Sequence, residues 1–227
     1  MTFQPDTNTT ANFRERLMAM RQLLTEEGLT KGSSSSALNK LFGYEMAVSE
    51  ETFSGVLVEC AKQQRLDLVD RLWGFLSTYE RGRIGIFLAQ ENALPALALV
   101  ASRLPDYQLE SLVNHLATAQ HDHTFPVLRP FLRPSLVQLH WLMRAAANGA
   151  EQFGRYFVEH GDVLGAIRGI KTPSVNKILV GWWVEAIAEG RVAVPDLGRS
   201  KTHWCKKFPE LSSVLREQCL DNALPAV

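Results

Sequence analysis

Four alanines, Ala61, Ala89, Ala117 and Ala146, follow one another at spacings of 28, 28 and 29 residues. Each sits near the end of an apolar stretch of helical periodicity and a few residues before another. Self-similarity at a period of about 20–50 residues is the signature of helical hairpins that stack to bury faces they cannot bury alone. A chain built this way presents turns and grooves to other macromolecules more readily than it builds a reaction centre.

The rest of the pattern is helical as well. The spacing of Phe13, Leu17, Met20 and Leu24 predicts a first helix from Ala11 to Glu27, capped by Thr10 and stopped by Gly28. Lys31 to Ser36 (KGSSSS) reads as a flexible joint. Ser49, followed by Glu50 and Glu51, opens a helix whose buried stripe is Phe53, Val56, Leu57 and Cys60. Leu66, Val69, Leu72, Trp73 and Leu76 form the next stripe, and Pro95 sits early in a later helix. Thr172-Pro173 opens the longest clean helix, which Gly190 ends, with Val175, Ile178, Leu179, Trp183, Ala186 and Ile187 on one face. Arg191 to Arg199 reads as a loop, and a last helix is expected from about Glu210 to Leu220. No segment alternates convincingly as a strand. The fold expected is all-α: an irregular α-solenoid of stacked helical hairpins with an N-terminal helical arm and a C-terminal helical cap. Its divisions are an arm with a Ser-rich joint (1–48), a helical-repeat domain (49–190), and a loop with a capping helix (191–227).

Composition narrows the function. In 227 residues, 24 Lys and Arg balance 24 Asp and Glu, which removes the broad basic footprint of a nucleic-acid binder. No apolar run is long enough to span a bilayer, and Met1 to Thr10 is too polar for a secretory signal. Cys60, Cys205 and Cys219, odd in number and widely spaced, read as free thiols of a cytoplasmic protein.

Leu142 to Asp162 (LMRAAANGAEQFGRYFVEHGD) resembles the helix-turn-helix part of an ankyrin repeat. The resemblance rests on Ala145-Ala146, Gly149 at the turn, the apolar Phe153, Tyr156 and Phe157, and the closing Gly161 and Asp162. Cys60-Ala61 followed by KQQRLDLVDRLW looks like a weaker copy. The small pair lets hairpins approach and the glycine makes the turn. The period is shorter than the ankyrin value of about 33 residues, and the Thr-Pro-Leu-His opening survives only as the displaced fragments Leu139-His140 and Thr172-Pro173. The resemblance is thus to a degenerate ankyrin-like stack over about Thr52 to Asp162. It implies protein binding through one face of the stack.

Several clusters could carry chemistry or recognition. His115 and His121-Asp122-His123 offer metal-ligating groups, but no fourth ligand with metal-site spacing accompanies them, and a polar turn at Gln120 to Thr124 is the simpler reading. Cys205 beside His203 and Trp204 lies in a basic stretch (RSKTHWCKK) that could activate a thiol or form a small patch for nucleic acid or an acidic protein; a solvated basic loop is the simpler reading. Trp182 and Trp183 point about 100° apart on their helix. Trp183 fits the core stripe, while Trp182 either packs on the C-terminal segment or stands out as a binding anchor. Phosphate-binding glycine loops and the nucleophile-elbow motif are absent. The leading expectation is a non-enzymatic scaffold or adaptor, without cofactor or metal, that binds another protein through its inter-hairpin turns at Gln64, Glu91, Asn92, His121, Asp122, His123 and Asn148, with Trp182 as anchor. Two further readings are an effector delivered into another cell by its Ser/Thr-rich first 36 residues, without a secretory signal, and a small enzyme using His121/His123 or His203/Cys205. The residue pattern leaves the oligomeric state open.

Overall fold

The computed structural model describes residues 10–29, 35–44, 48–193 and 201–212. Among them all regular structure is helical, with no strand. The chain divides into two compact units, Met1–His115 with Pro126–Phe131, and Leu116–Phe125 with Leu132–Val227. No helix among the described residues is long and apolar enough to cross a membrane.

The first unit holds α1 (Thr10–Glu26), α2 (Ser36–Leu41), α3 (Glu50–Lys62), α4 (Leu66–Leu72), α5 (Thr78–Gln90), α6 (Leu94–Ala101) and α7 (Asp106–Leu116). Helices α3, α5 and α7 begin 28 residues apart, at Glu50, Thr78 and Asp106, as do α4 and α6, at Leu66 and Leu94. The same interval relates buried side chains: Val56, Ile84 and Leu112; Cys60, Leu88 and Leu116; Leu68, Ala96 and Thr124. It also relates three buried polar ones, Thr52, Glu80 and Gln108. Thr52 and Glu80 complete capping boxes with Ser49 and Ser77. Gln108 instead donates from Nε2 to the Thr78 carbonyl at 3.0 Å.

One turn type ends five of the helices. Gly28, Gln64, Asn92, Gly149 and Gly190 are left-handed, with φ of 74°, 59°, 54°, 67° and 72°. In each case the next amide donates to the carbonyl five residues back, for example Arg65 to Cys60 at 2.9 Å and Ala93 to Leu88 at 2.8 Å. This is the Schellman closure, which satisfies carbonyls that the helix leaves over.

Helix α1, anticipated as an arm, belongs to the core of the first unit. It buries Leu17, Met20, Leu23 and Leu24, and Phe13 stacks on Phe53 with centroids 5.2 Å apart. Arg21 donates to the Leu41 and Gly43 carbonyls at 2.6 and 3.0 Å, closing the C-terminus of α2. Glu27 accepts from Arg65 and Arg71, which hold its carboxyl below the usual range. The anticipated joint at Lys31 to Ser36 falls largely outside the described residues, although Ser35 is the N-cap of α2.

After the short α8 (Phe125–Leu128), the second unit holds α9 (Leu139–Asn148), α10 (Glu151–His160), α11 (Val163–Gly169), α12 (Pro173–Ala188) and α13 (Lys201–Lys207). Its core is aromatic: Trp141, Phe153 and Phe157 are fully buried, with the Trp141 and Phe157 centroids 5.4 Å apart. Two expectations change here. Ile178, assigned to the buried face of α12, is 40% exposed; Val180 and Trp182 are buried instead. The basic stretch expected as a loop is the helix α13, because Trp204 stacks on Phe208 and both are buried. The last helix, expected from Glu210, lies mostly outside the described residues.

Candidate functional site

The anticipated turn residues of the first unit are at the surface, and two have unusual backbones. Gln64 and Asn92 are exposed and are the only non-glycine residues with positive φ among the described residues. That conformation costs an ordinary side chain roughly 1–2 kcal/mol. Beside them, Lys62 pairs with Glu91 at 3.2 Å across the ends of α3 and α5. Both residues line a groove of about 500 Å³ between α2, α3 and α5. Its floor is small and apolar, with Ala37, Gly55, Val58 and Phe87; Glu51, Glu59 and Arg83 supply charge. Gly55 lets α2 come close, since a Cβ there would lie 3.0 Å from that of Ala37. On α5 the Arg83 guanidinium lies 5.4 Å from both the Tyr79 and Phe87 ring centroids and donates to the Tyr79 hydroxyl at 2.9 Å. Tyr79 is 69% exposed. An Arg between two aromatics on an exposed helix face has the chemistry of a binding hot spot.

Beneath this face lies a buried charge cluster. Arg16 donates to both Glu50 oxygens at 2.9 and 3.1 Å, to Glu80 Oε2 at 3.1 Å, and from Nε to the Phe75 carbonyl at 2.6 Å. Its guanidinium also lies over the Phe53 ring. Glu80 further accepts from the Ser77 amide at 2.8 Å and the Ser54 hydroxyl at 3.3 Å. Burial, and then the neighbouring Glu50, push the Glu80 carboxyl up to about 7. Glu50, less buried, is held below its usual value: hydrogen bonding to Glu80 and Arg16 outweighs its desolvation. The guanidinium of Arg81, over the Trp73 ring, loses basicity to burial and to the Arg16 charge. The cluster pins α1 to α3 and α5.

In the second unit the anticipated residues have mostly structural surroundings. Asp122 receives the amides of Gln152 (3.0 and 2.9 Å) and Phe153 (3.2 Å), so it caps the N-terminus of α10 from a 3₁₀ turn, Ala119–Thr124. His121 is buried and His123 exposed, with ring centroids 6.4 Å apart. Among the described residues no three His, Cys, Asp or Glu side chains group as metal ligands. Asn148 is exposed and donates to the Arg144 carbonyl at 2.8 Å. Trp182 is 8% exposed and packs against α10, where a Cβ on Gly154 would fall 2.1 Å from its ring. It is a core residue rather than an exposed anchor. Cys60 and Cys205 are free, and burial pushes the Cys60 thiol up to about 12, the state of an unreactive core thiol.

Sequence reasoning missed Arg16, Glu80, Tyr79, Arg83 and Phe87. The Ser77–Glu80 capping box was legible as S-x-x-E. The pairing of Arg16 with a residue 64 positions away had no local signal.

What the fold and surface define is an all-helical protein with a charged groove on one unit. Compared with known proteins, the chain matches no family model, no curated protein sequence and no solved structure.

Proposed function

We propose that the chain is a non-enzymatic protein-binding module, with its recognition surface in the α3–α5 groove and the adjoining turns of the first unit. The observation that carries the proposal is the pair Gln64 and Asn92. Each is exposed, each is left-handed, and each occupies the same place in successive 28-residue segments. Glycine would be easier there for folding alone. Side chains kept at a conformational cost, at the surface and in register, point to a use outside the fold. The groove offers Arg83 and Phe87 as anchor, with Tyr79 packed on Arg83 next to them, and Lys62–Glu91 as rim. This reading treats the 28-residue spacing as a degenerate ankyrin-like repeat and the helices as an irregular solenoid. It places the protein in a reducing compartment, in keeping with the free Cys60 and Cys205.

The test is capture from native cell lysate followed by binding of the purified partner. The parent chain is compared with Gln64→Gly/Asn92→Gly, which strips both side chains without straining the backbone, and with Arg83→Ala/Glu91→Arg. A partner lost at least about tenfold by both variants, with melting temperatures preserved, supports the groove. A partner held equally by all three proteins sinks it.

A further inference from the structure

Helix α12 has a second face that the described residues of the second unit leave uncovered. Asn176, Leu179, Val180, Trp183, Ala186 and Ile187 are buried. Away from them, Lys177, Ile178, Gly181, Val184 and Glu185 border an open, largely apolar groove of about 650 Å³. Gly181 is exposed at mid-helix, its φ is not positive, and a Cβ there would meet nothing within 4 Å. A glycine in this setting costs about 1 kcal/mol against alanine. Nothing within the described chain calls for it. Close approach of another helix does.

The residues around Gly181 are arranged symmetrically. Ile178 and Val184 lie three residues to either side, Lys177 and Glu185 four, and Ser174 and Ala188 seven. These offsets share one helix face. We propose that this face docks against a second copy of this chain, α12 on α12, antiparallel, with the two-fold axis at Gly181. The glycines then meet at the crossing. Ile178 of one copy meets Val184 of the other, and Lys177 meets the other copy's Glu185. This is the self-complementarity an isologous interface requires. A parallel pairing would set Lys177 against Lys177. Arg155 on α10 already fixes the Glu185 carboxylate by donating to Oε2, so the acid is held in place rather than free to swing away. A contact through one helix face falls at the small end of specific interfaces, so the dimer is weak and forms with concentration.

Sedimentation equilibrium of the full chain, from low micromolar to about millimolar, tests it. The expected result is a reversible monomer–dimer equilibrium. Gly181→Glu raises its dissociation constant at least about tenfold with an unchanged far-ultraviolet spectrum. Gly181→Ala raises the melting temperature of the dilute monomer but weakens the dimer. Lys177→Glu weakens it as well, and added salt weakens the parent more than Lys177→Glu. A chain that stays monomeric throughout overturns the proposal; so does dimerisation untouched by Gly181→Glu. The same holds if deleting residues 213–227 is needed before any dimer forms, since the occupant of the face would then be the chain itself.

Discussion

The two units bury similar helices around cores of different chemistry. In the second, Trp141, Phe153, Phe157, Trp182 and Trp183 fill the space between α9, α10 and α12, and the Tyr156 hydroxyl finds the Leu132 carbonyl at 3.1 Å. In the first, a largely aliphatic core also encloses a salt-bridged cluster seated on the Phe53 ring, with Arg16 and Glu80 both nearly inaccessible. An aromatic core gains from the area it removes from water. A buried ion pair gains little net energy over an apolar pair, but it makes any other arrangement of the same helices expensive, because a mispaired charge would be stranded. The second unit therefore takes its stability from contacts that tolerate some sliding. The first fixes the position of α1 by geometry: Arg16 has four acceptors at once on α3, on α5 and at Phe75.

The largest expected effect is on the aromatic side of this contrast. Phe157→Ala removes a fully buried ring and is expected to cost about 3–5 kcal/mol in denaturant unfolding. A loss under about 1 kcal/mol would mean that the unit is far more loosely packed than its rings suggest. Arg16→Met is expected to cost about 3 kcal/mol, since it strands the buried Glu80 carboxyl instead of exposing a cavity. Its cost should be larger at pH 8 than at pH 5, because a protonated Glu80 needs no cation; the Phe157→Ala loss should be the same at both. If the two variants respond alike to pH, the contrast between the cores fails.

The parent chain should show the same asymmetry. Folding raises the Glu80 carboxyl from 4.5 to about 7. Between those values the folded chain holds a proton that the unfolded chain releases. Stability therefore falls as pH rises from about 4.5 to about 7, by up to about 1.4 kcal/mol per pH unit. Glu50, held below its usual value, acts in the opposite sense on the acid side. Glu80→Gln should flatten the decline above pH 4.5 in a series of chemical melts. A rising slope in the parent over this window would show that Arg16, not burial, governs the acid. In the second unit, Asp122→Ala removes the carboxylate that caps α10 and is expected to cost about 1 kcal/mol, with helix α10 fraying in amide exchange.

The sequence carries the local part of this architecture and not the long-range part. Helical spacing, capping serines and terminal glycines are local signals, and Ser49, Ser77, Gly149 and Gly190 end or begin helices where the residues imply. The apolar stripe of α3 is buried as its periodicity indicates. Facing is less legible. Trp182 and Ile178 both suit a helix surface or a core, and only the absence of a side chain at Gly154, 28 residues away, makes room for the Trp182 ring. The basic stretch of α13 looked like a loop because its charges outnumber its two anchoring rings. At the candidate site, Gln64, Glu91 and Asn92 were accessible to reasoning because turns follow apolar stripes. The Tyr79–Arg83–Phe87 ladder was overlooked because α5 mixes polar and apolar residues without a clean stripe.

The smallest effects bear on why two turns of the first unit keep side chains where those of the second use glycine. Gln64→Gly relieves a left-handed backbone that glutamine adopts with difficulty, yet it also gives the unfolded chain more freedom. The net gain is expected to be about 0.5 kcal/mol. Asn92→Gly should gain less, since asparagine tolerates this conformation through its short polar side chain. Gly149→Ala, at the corresponding turn of the second unit, forces a Cβ into the same conformation and should cost about 1 kcal/mol. Thermal melts of the three single variants order these values. A gain for Gln64→Gly means that the chain forgoes stability at the edge of the groove, as a recognition residue would require. A loss means that the Gln64 side chain holds its own turn, and the groove must then find its contacts in Tyr79, Arg83 and Phe87 alone.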